Sequence, residues 1–108
     1  MDQNKNILVT AIGSLTSVEV IKVLRDNSFR VIGIDCDVRA SNKEKCDSFF
    51  VSPNAKDQKE YIDFILRLCK IENVNTIIPV STSEVEALSS NKTLLKKDAS
   101  NNLHHLLI

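Results

Sequence analysis

The chain has 108 residues, 43% apolar and 26% charged, with fourteen basic side chains against fourteen acidic ones. These are ordinary proportions for one soluble globular domain with a single core. A formal net charge of zero lacks the electrostatic footprint of nucleic-acid or anionic-membrane binding, so neither partner is expected. No apolar run approaches the roughly 18–20 residues of a membrane span, and the polar start, Met1 to Asn6, carries no apolar signal region. Cys36, Cys46 and Cys69 are odd in number and lack C-x-x-C spacing. That usage fits reduced, mainly packed thiols in a cytoplasmic protein, and neither a disulfide framework nor a metal site.

In chain order, Ile7–Ala11 is a short apolar run suited to a strand buried on both faces. Gly13-Ser14 punctuates it, and Thr16 with Glu19 has capping-box spacing. Leu15, Val18, Ile21 and Leu24, widened by Val20 and Val23, predict an amphipathic helix that Asp26-Asn27-Ser28 closes. Val31–Ile34 is a second strand running into Asp35-Cys36-Asp37. A polar connection leads to a third strand, Phe49-Phe50-Val51, and Pro53-Asn54 breaks the chain again. Asp57 with Glu60 opens a second helix whose face is Tyr61, Ile62, Ile65, Leu66 and Cys69, ending near Glu72. Val74–Val80 is a fourth strand with Pro79 at its end. Ser83 with Glu86 opens a third helix through Val85 and Leu88 toward Leu94-Leu95, and Lys92–Lys97 reads as its solvated end. Leu103–Ile108 is either a fifth strand or a frayed end. Strands and helices alternate, which implies parallel pairing through right-handed crossovers.

Three places carry candidate chemistry. The loop around Gly13 and Ser14 opens a helix whose unpaired N–H groups suit a phosphate or carboxylate; the alternative is a plain turn capped by Ser14 or Thr16. Asp35 and Asp37 stand about twenty residues further on, where dinucleotide-binding folds place the acid that reads a ribose. The G-x-G-x-x-G pattern is incomplete, so the alternatives are the border of a neighbouring cleft or a solvated strand end. Ser81, Thr82, Ser83 and Glu84 follow the fourth strand at the carboxyl edge, where open α/β sheets collect ligands. Hydroxyls and helix N–H groups there suit a carboxylate substrate, whereas Glu86 reads as a cap. No catalytic set and no metal ligands are expected, because His104 and His105 are adjacent and point opposite ways in a strand.

The segments Asn6–Gly13, Val31–Asp37, Tyr61–Leu66, Val74–Leu88 and Asn91–Leu95, taken in order, resemble the N-terminal (pre-ATP-grasp) domain of the ATP-grasp superfamily. The pattern is nearest to the carbamoyl-phosphate-synthase-like branch of carboxylate–amine ligases. The resemblance covers essentially all of residues 1–108. It implies an α/β fold, a Rossmann-like three-layer αβα sandwich with a mostly parallel sheet of four to five strands. It also implies a lobe that is not catalytic alone, lines part of a substrate pocket through the Ser81–Glu84 loop, and makes subunit contacts in a homodimer. Two departures stand out: the family's first loop is richer in glycine, and the sequence stops where the ATP-grasp lobes would begin. Those lobes are the expected partners, and ATP and Mg2+ are expected for a full-length parent, with no cofactor in this chain. The alternative is a stand-alone nucleotide- or dinucleotide-binding module using Gly13 and Asp35.

Overall fold

The computed structural model describes residues 5–96. In chain order the elements are β1 (Asn6–Val9), α1 (Leu15–Asp26), β2 (Arg30–Asp35), a 3-10 turn over Lys43–Lys45, β3 (Ser48–Val51), α2 (Gln58–Glu72), β4 (Thr76–Ile78) and α3 (Thr82–Ser90). A further helical turn covers 92–96. The strands form one sheet in the order β3-β2-β1-β4 with every pair parallel. Leu8, for example, lies opposite Ile32 on one side and Ile77 on the other.

Successive strand residues face opposite sides of a sheet, and this alternation divides the core in two. Ile7, Val9 and Val31 pack with Ile12, Ile21, Ala40 and Cys46 beneath α1. Leu8, Ile32, Ile34 and Ile77 pack with Tyr61, Ile62, Ile65 and Cys69 of α2 and with Ala87 and Leu88 of α3. The result is a Rossmann-like α/β fold with helices on both faces of a parallel sheet, as the alternating pattern predicts. Among the described residues no helix is long and apolar enough to cross a membrane.

Several boundaries differ from the sequence-based expectation, each for a local reason. β1 stops at Val9, because Ala11 turns into the left-handed region at φ 50. β4 is three residues long, not seven. Asn73 at φ 55 closes α2, and the Val74 N–H bonds back to the Cys69 carbonyl at 3.0 Å, the helix-ending turn that a left-handed Asn permits. At the other end Pro79 has no N–H to pair.

The N-cap of α1 is Ser14, whose Oγ accepts from the Ser17 N–H at 3.3 Å; Thr16 is not the cap. The core-facing stripe is accordingly Ser17 and Ile21, both buried, with Val20 and Leu24 partly buried beside them, and Leu15 is 91% exposed. α3 is capped by Ser81, whose Oγ accepts from the Glu84 N–H at 3.4 Å, two residues before the expected Ser83. Asp57 does precede α2, but its side chain makes no capping bond. The 92–96 turn follows Asn91 and buries Leu95, leaving Leu94 half exposed.

Cys46 and Cys69 are buried, as packed thiols are, whereas Cys36 is exposed. Cys46 packs over Gly33, where a Cβ would collide with its Sγ and come within 3.1 Å of Ile12 Cγ2. That contact is why β2 carries a glycine. The expected fifth strand, with His104 and His105, lies outside the described residues.

Candidate functional site

Parallel pairing puts the carboxyl ends of all four strands on one edge. β1 leads into α1 on one face, while its neighbour β4 leads into α3 on the other. The chain therefore diverges between β1 and β4, the position where open α/β sheets form a crevice. A cleft of about 180 Å³ opens there. Its walls include Ala11 after β1, Asp35 and Cys36 after β2, Lys56 after β3, and Ser81, Ser83 and Glu84 at the start of α3. Of the residues singled out in the sequence, the structure brings together Asp35, Ser81, Ser83 and Glu84. Gly13, Ser14, Asp37 and Thr82 lie outside the lining.

Glu84 is the most distinctive of these. Its backbone N–H completes the Ser81 cap, but its carboxylate turns inward and accepts from the Tyr61 hydroxyl at 3.1 Å. It is only 7% exposed. Burial pushes its carboxyl above the ordinary range and the Asp35 charge adds to that push, while the Tyr61 hydrogen bond opposes them. Tyr61 moves in the same direction, chiefly through burial and then through the neighbouring Glu84 charge. Sequence periodicity reads Tyr61 as part of an apolar helix face. The signal for its second role is that a phenol in a core needs a hydrogen-bond partner.

Asp35 is engaged differently. Its Oδ2 accepts from the Gly13 N–H at 2.9 Å and its Oδ1 accepts from the Asp37 N–H at 2.9 Å. A carboxylate of the chain itself thus occupies the glycine donor that a phosphate would use in a dinucleotide fold. Asp37 Oδ1 in turn accepts from the Arg39 N–H at 2.9 Å. The loop after β1 is further held by Asn42, which is 5% exposed and donates from Nδ2 to the Ile12 carbonyl at 2.6 Å and the Ser14 carbonyl at 3.2 Å. The Ser17 hydroxyl donates to the same Ile12 carbonyl at 2.6 Å. Nothing in the polar connection of the sequence marks Asn42 as this anchor.

Cys46 is not a poised nucleophile: burial first, then Asp47, pushes its thiol up to about 11, against a smaller opposing pull from Arg25. Among the described residues, no group of three His, Cys, Asp or Glu side chains converges as metal ligands do. A larger hollow of about 430 Å³ between α1 and the Lys43–Lys45 turn includes Lys22, Arg25, Asp26 and Glu44 in its walls. Its charges are of both signs, and Lys22–Asp26 and Arg25–Asp47 are already paired.

The family described as PylC-like, N-terminal domain, matches residues 7–100. No protein of curated function matches the chain in sequence. Among solved structures it is similar to the Bordetella bronchiseptica enzyme WbmH in complex with NAD+, at 12% identity and a TM-score of 0.57, over 91% of this chain and 36% of that one. It is also similar to UDP-glucose 4-epimerase of Thermotoga maritima with UDP-glucose, at 14% identity and a TM-score of 0.58, over 90% and 34%. A third is dTDP-glucose 4,6-dehydratase of Bacillus anthracis in complex with NAD, at 15% identity and a TM-score of 0.58, over 94% and 36%. The chain spans about a third of the length of each and shares with them the fold alone. Order of elements, parallel sheet and family match agree: the chain belongs to the PylC-like N-terminal domains, the pre-ATP-grasp domain of the carboxylate–amine ligases of the ATP-grasp type.

Proposed function

We propose that this domain is the lobe of an ATP-dependent carboxylate–amine ligase that lines the substrate pocket and is not catalytic alone. The observation that carries the reading is the cleft at the divergence of β1 and β4, with Ser81, Ser83, Glu84 and Asp35 on its walls. In this reading ATP and Mg2+ are held by ATP-grasp lobes of the same polypeptide, in the cytoplasm. The intact enzyme activates a carboxylate as an acyl phosphate for attack by an amine. Gly13 and Ser14 support the wall indirectly: Gly13 fixes Asp35 beside the cleft, and Ser14 caps α1.

A dinucleotide module has less support. Asp35 would have to release Gly13 and Asp37 to meet a ribose, and its charge would repel a phosphate at that loop. Stabilisation by NAD(P) or adenosine in a thermal-shift panel, lost in Asp35→Ala, would favour that module instead. A homodimer belongs to the proposal as well, and light scattering that shows only monomer at high concentration contradicts that part.

The wall itself is tested by fusing the domain to the ATP-grasp lobes of a PylC-like ligase and narrowing the cleft with Ser83→Trp. The expected result is a KM for the carboxylate or amine at least about tenfold higher, equivalent to roughly 1.4 kcal/mol, with the KM for ATP unchanged. An unchanged substrate KM contradicts the reading.

A further inference from the structure

Glu84 is more than nine-tenths buried, yet only one of its carboxylate oxygens is used. Oε1 accepts from Tyr61. Among the described residues Oε2 meets no donor and no cation, and since no buried side-chain oxygen lacks a partner, Oε2 must open outward. Glu84 stands on the wall of the cleft between β1 and β4, the recess beside it. Asp35 stands close enough across that cleft for its charge to act on Glu84, and neither acid belongs to an ion pair among the described residues. A largely desolvated carboxylate with one oxygen satisfied is costly to hold without a counter-charge, and Lys56, the cation on the cleft wall, forms no ion pair with it among the described residues.

We infer that this cleft is the subsite for a primary ammonium group, with Glu84 Oε2 as its main acceptor. The Ser81 and Ser83 hydroxyls and the charge of Asp35 complete the cradle. An ammonium offers three donors and one positive charge, which suits the Glu84 carboxylate together with Ser83 and the Ser81 oxygen, whose remaining lone pair is not used by the α3 cap, around a cleft of about 180 Å³. The recess is the size of the end of a small molecule, not of a whole cofactor. Tyr61 is a positioning residue: its hydroxyl holds Oε1 and so turns Oε2 outward. The assignment rests on the substrate-wall reading and deepens it, naming the amine partner of the ligase as the group this lobe receives.

The test is an amide chemical-shift titration of the nitrogen-15-labelled chain with 1,4-diaminobutane, alongside butyrate, the neutral isostere 1,4-butanediol, and Mg2+. The expected result is shifts centred on Cys36 and Ser83–Val85 with the diamine only, at a Kd of about 1–10 mM for a wall lacking its partner lobes. Binding at least tenfold weaker is expected in Glu84→Gln. The neutral isostere supplies the same comparison without relying on a variant. No shift with the diamine overturns the inference, as do equal shifts with butanediol, unchanged affinity in Glu84→Gln, or the same residues responding to Mg2+ instead. If butyrate alone moves these amides, the ammonium assignment falls while the substrate wall stands. The wall falls by itself if Ser83→Trp leaves the fused enzyme's substrate KM unchanged.

Discussion

The Tyr61 hydroxyl of α2 donates to Glu84 Oε1 of α3 at 3.1 Å, a buried bond between side chains 23 residues apart. It joins the two helices that cover one face of the sheet, and it takes Glu84 away from its local role. With Ser81 three residues earlier, Glu84 has the spacing of a capping box, yet its carboxylate leaves the helix end for the phenol. Tyr61→Phe removes the donor and keeps the ring. A loss of about 1–3 kcal/mol is expected in urea unfolding, with the Tyr61→Phe/Glu84→Gln double variant losing less than the two single variants together. Strict additivity contradicts the coupling.

The buried carboxyl also gives stability a pH dependence. Burial, reinforced by Asp35 and opposed by Tyr61, raises the Glu84 pKa above its ordinary 4.5, with Lys56 the cation on the cleft wall. The native state then keeps this proton to a higher pH than the unfolded chain does. From about 4.5 upward to the raised native value the folded form binds more protons, so this group's contribution to stability falls as pH rises. Relative to Glu84→Gln, the wild-type chain should therefore lose ground as the pH rises above about 4.5. A difference that is constant or grows in the wild type's favour contradicts the assignment.

Gly33 and Cys46 form a second tight relationship, under α1. Gly33→Ala should destabilise by about 1–3 kcal/mol through overpacking, because the new Cβ meets Cys46 Sγ and Ile12 Cγ2. Cys46→Ala in the same chain removes the sulfur and should recover part of the loss. Thermal unfolding reads this directly, at roughly 4–8 °C for each kcal/mol in a domain of this size. A Gly33→Ala chain as stable as the wild type would show that the contact is not tight.

Ala11 sits at φ 50 in the first turn of the binding edge, where a side chain costs roughly 1–2 kcal/mol and glycine costs little. Ala11→Gly also gives the unfolded chain about 0.4–1 kcal/mol of extra entropy. The net expectation is a chain unchanged or up to about 1.5 kcal/mol more stable. A clear loss of stability would falsify the strained-turn reading.

The architecture was legible because apolar runs and helical stripes repeat cleanly: Ile7–Val9, Val31–Ile34 and Tyr61–Cys69 mark strands and helix without help from tertiary context. Helix starts were less legible. Thr16–Glu19 and Ser83–Glu86 have cap spacing, but Ser14 and Ser81 are the caps, since S-x-x-E spacing recurs wherever Ser, Thr and Glu are frequent. The edge of the sheet that carries the cleft was also legible, from Asp35 and Ser81–Glu84. Its inner wiring was not. That Asp35 holds Gly13, that Asn42 ties the first loop and that Tyr61 takes Glu84 are contacts between residues 22 to 30 positions apart, and no local spacing encodes them.

The claim on which the account turns is that this lobe lines a substrate pocket and leaves the nucleotide to other lobes. Isothermal titration of the 108-residue chain with ATP and Mg2+ is its most direct test. The account predicts no heat of binding and no hydrolysis; micromolar binding, or turnover of ATP by these residues alone, would contradict it.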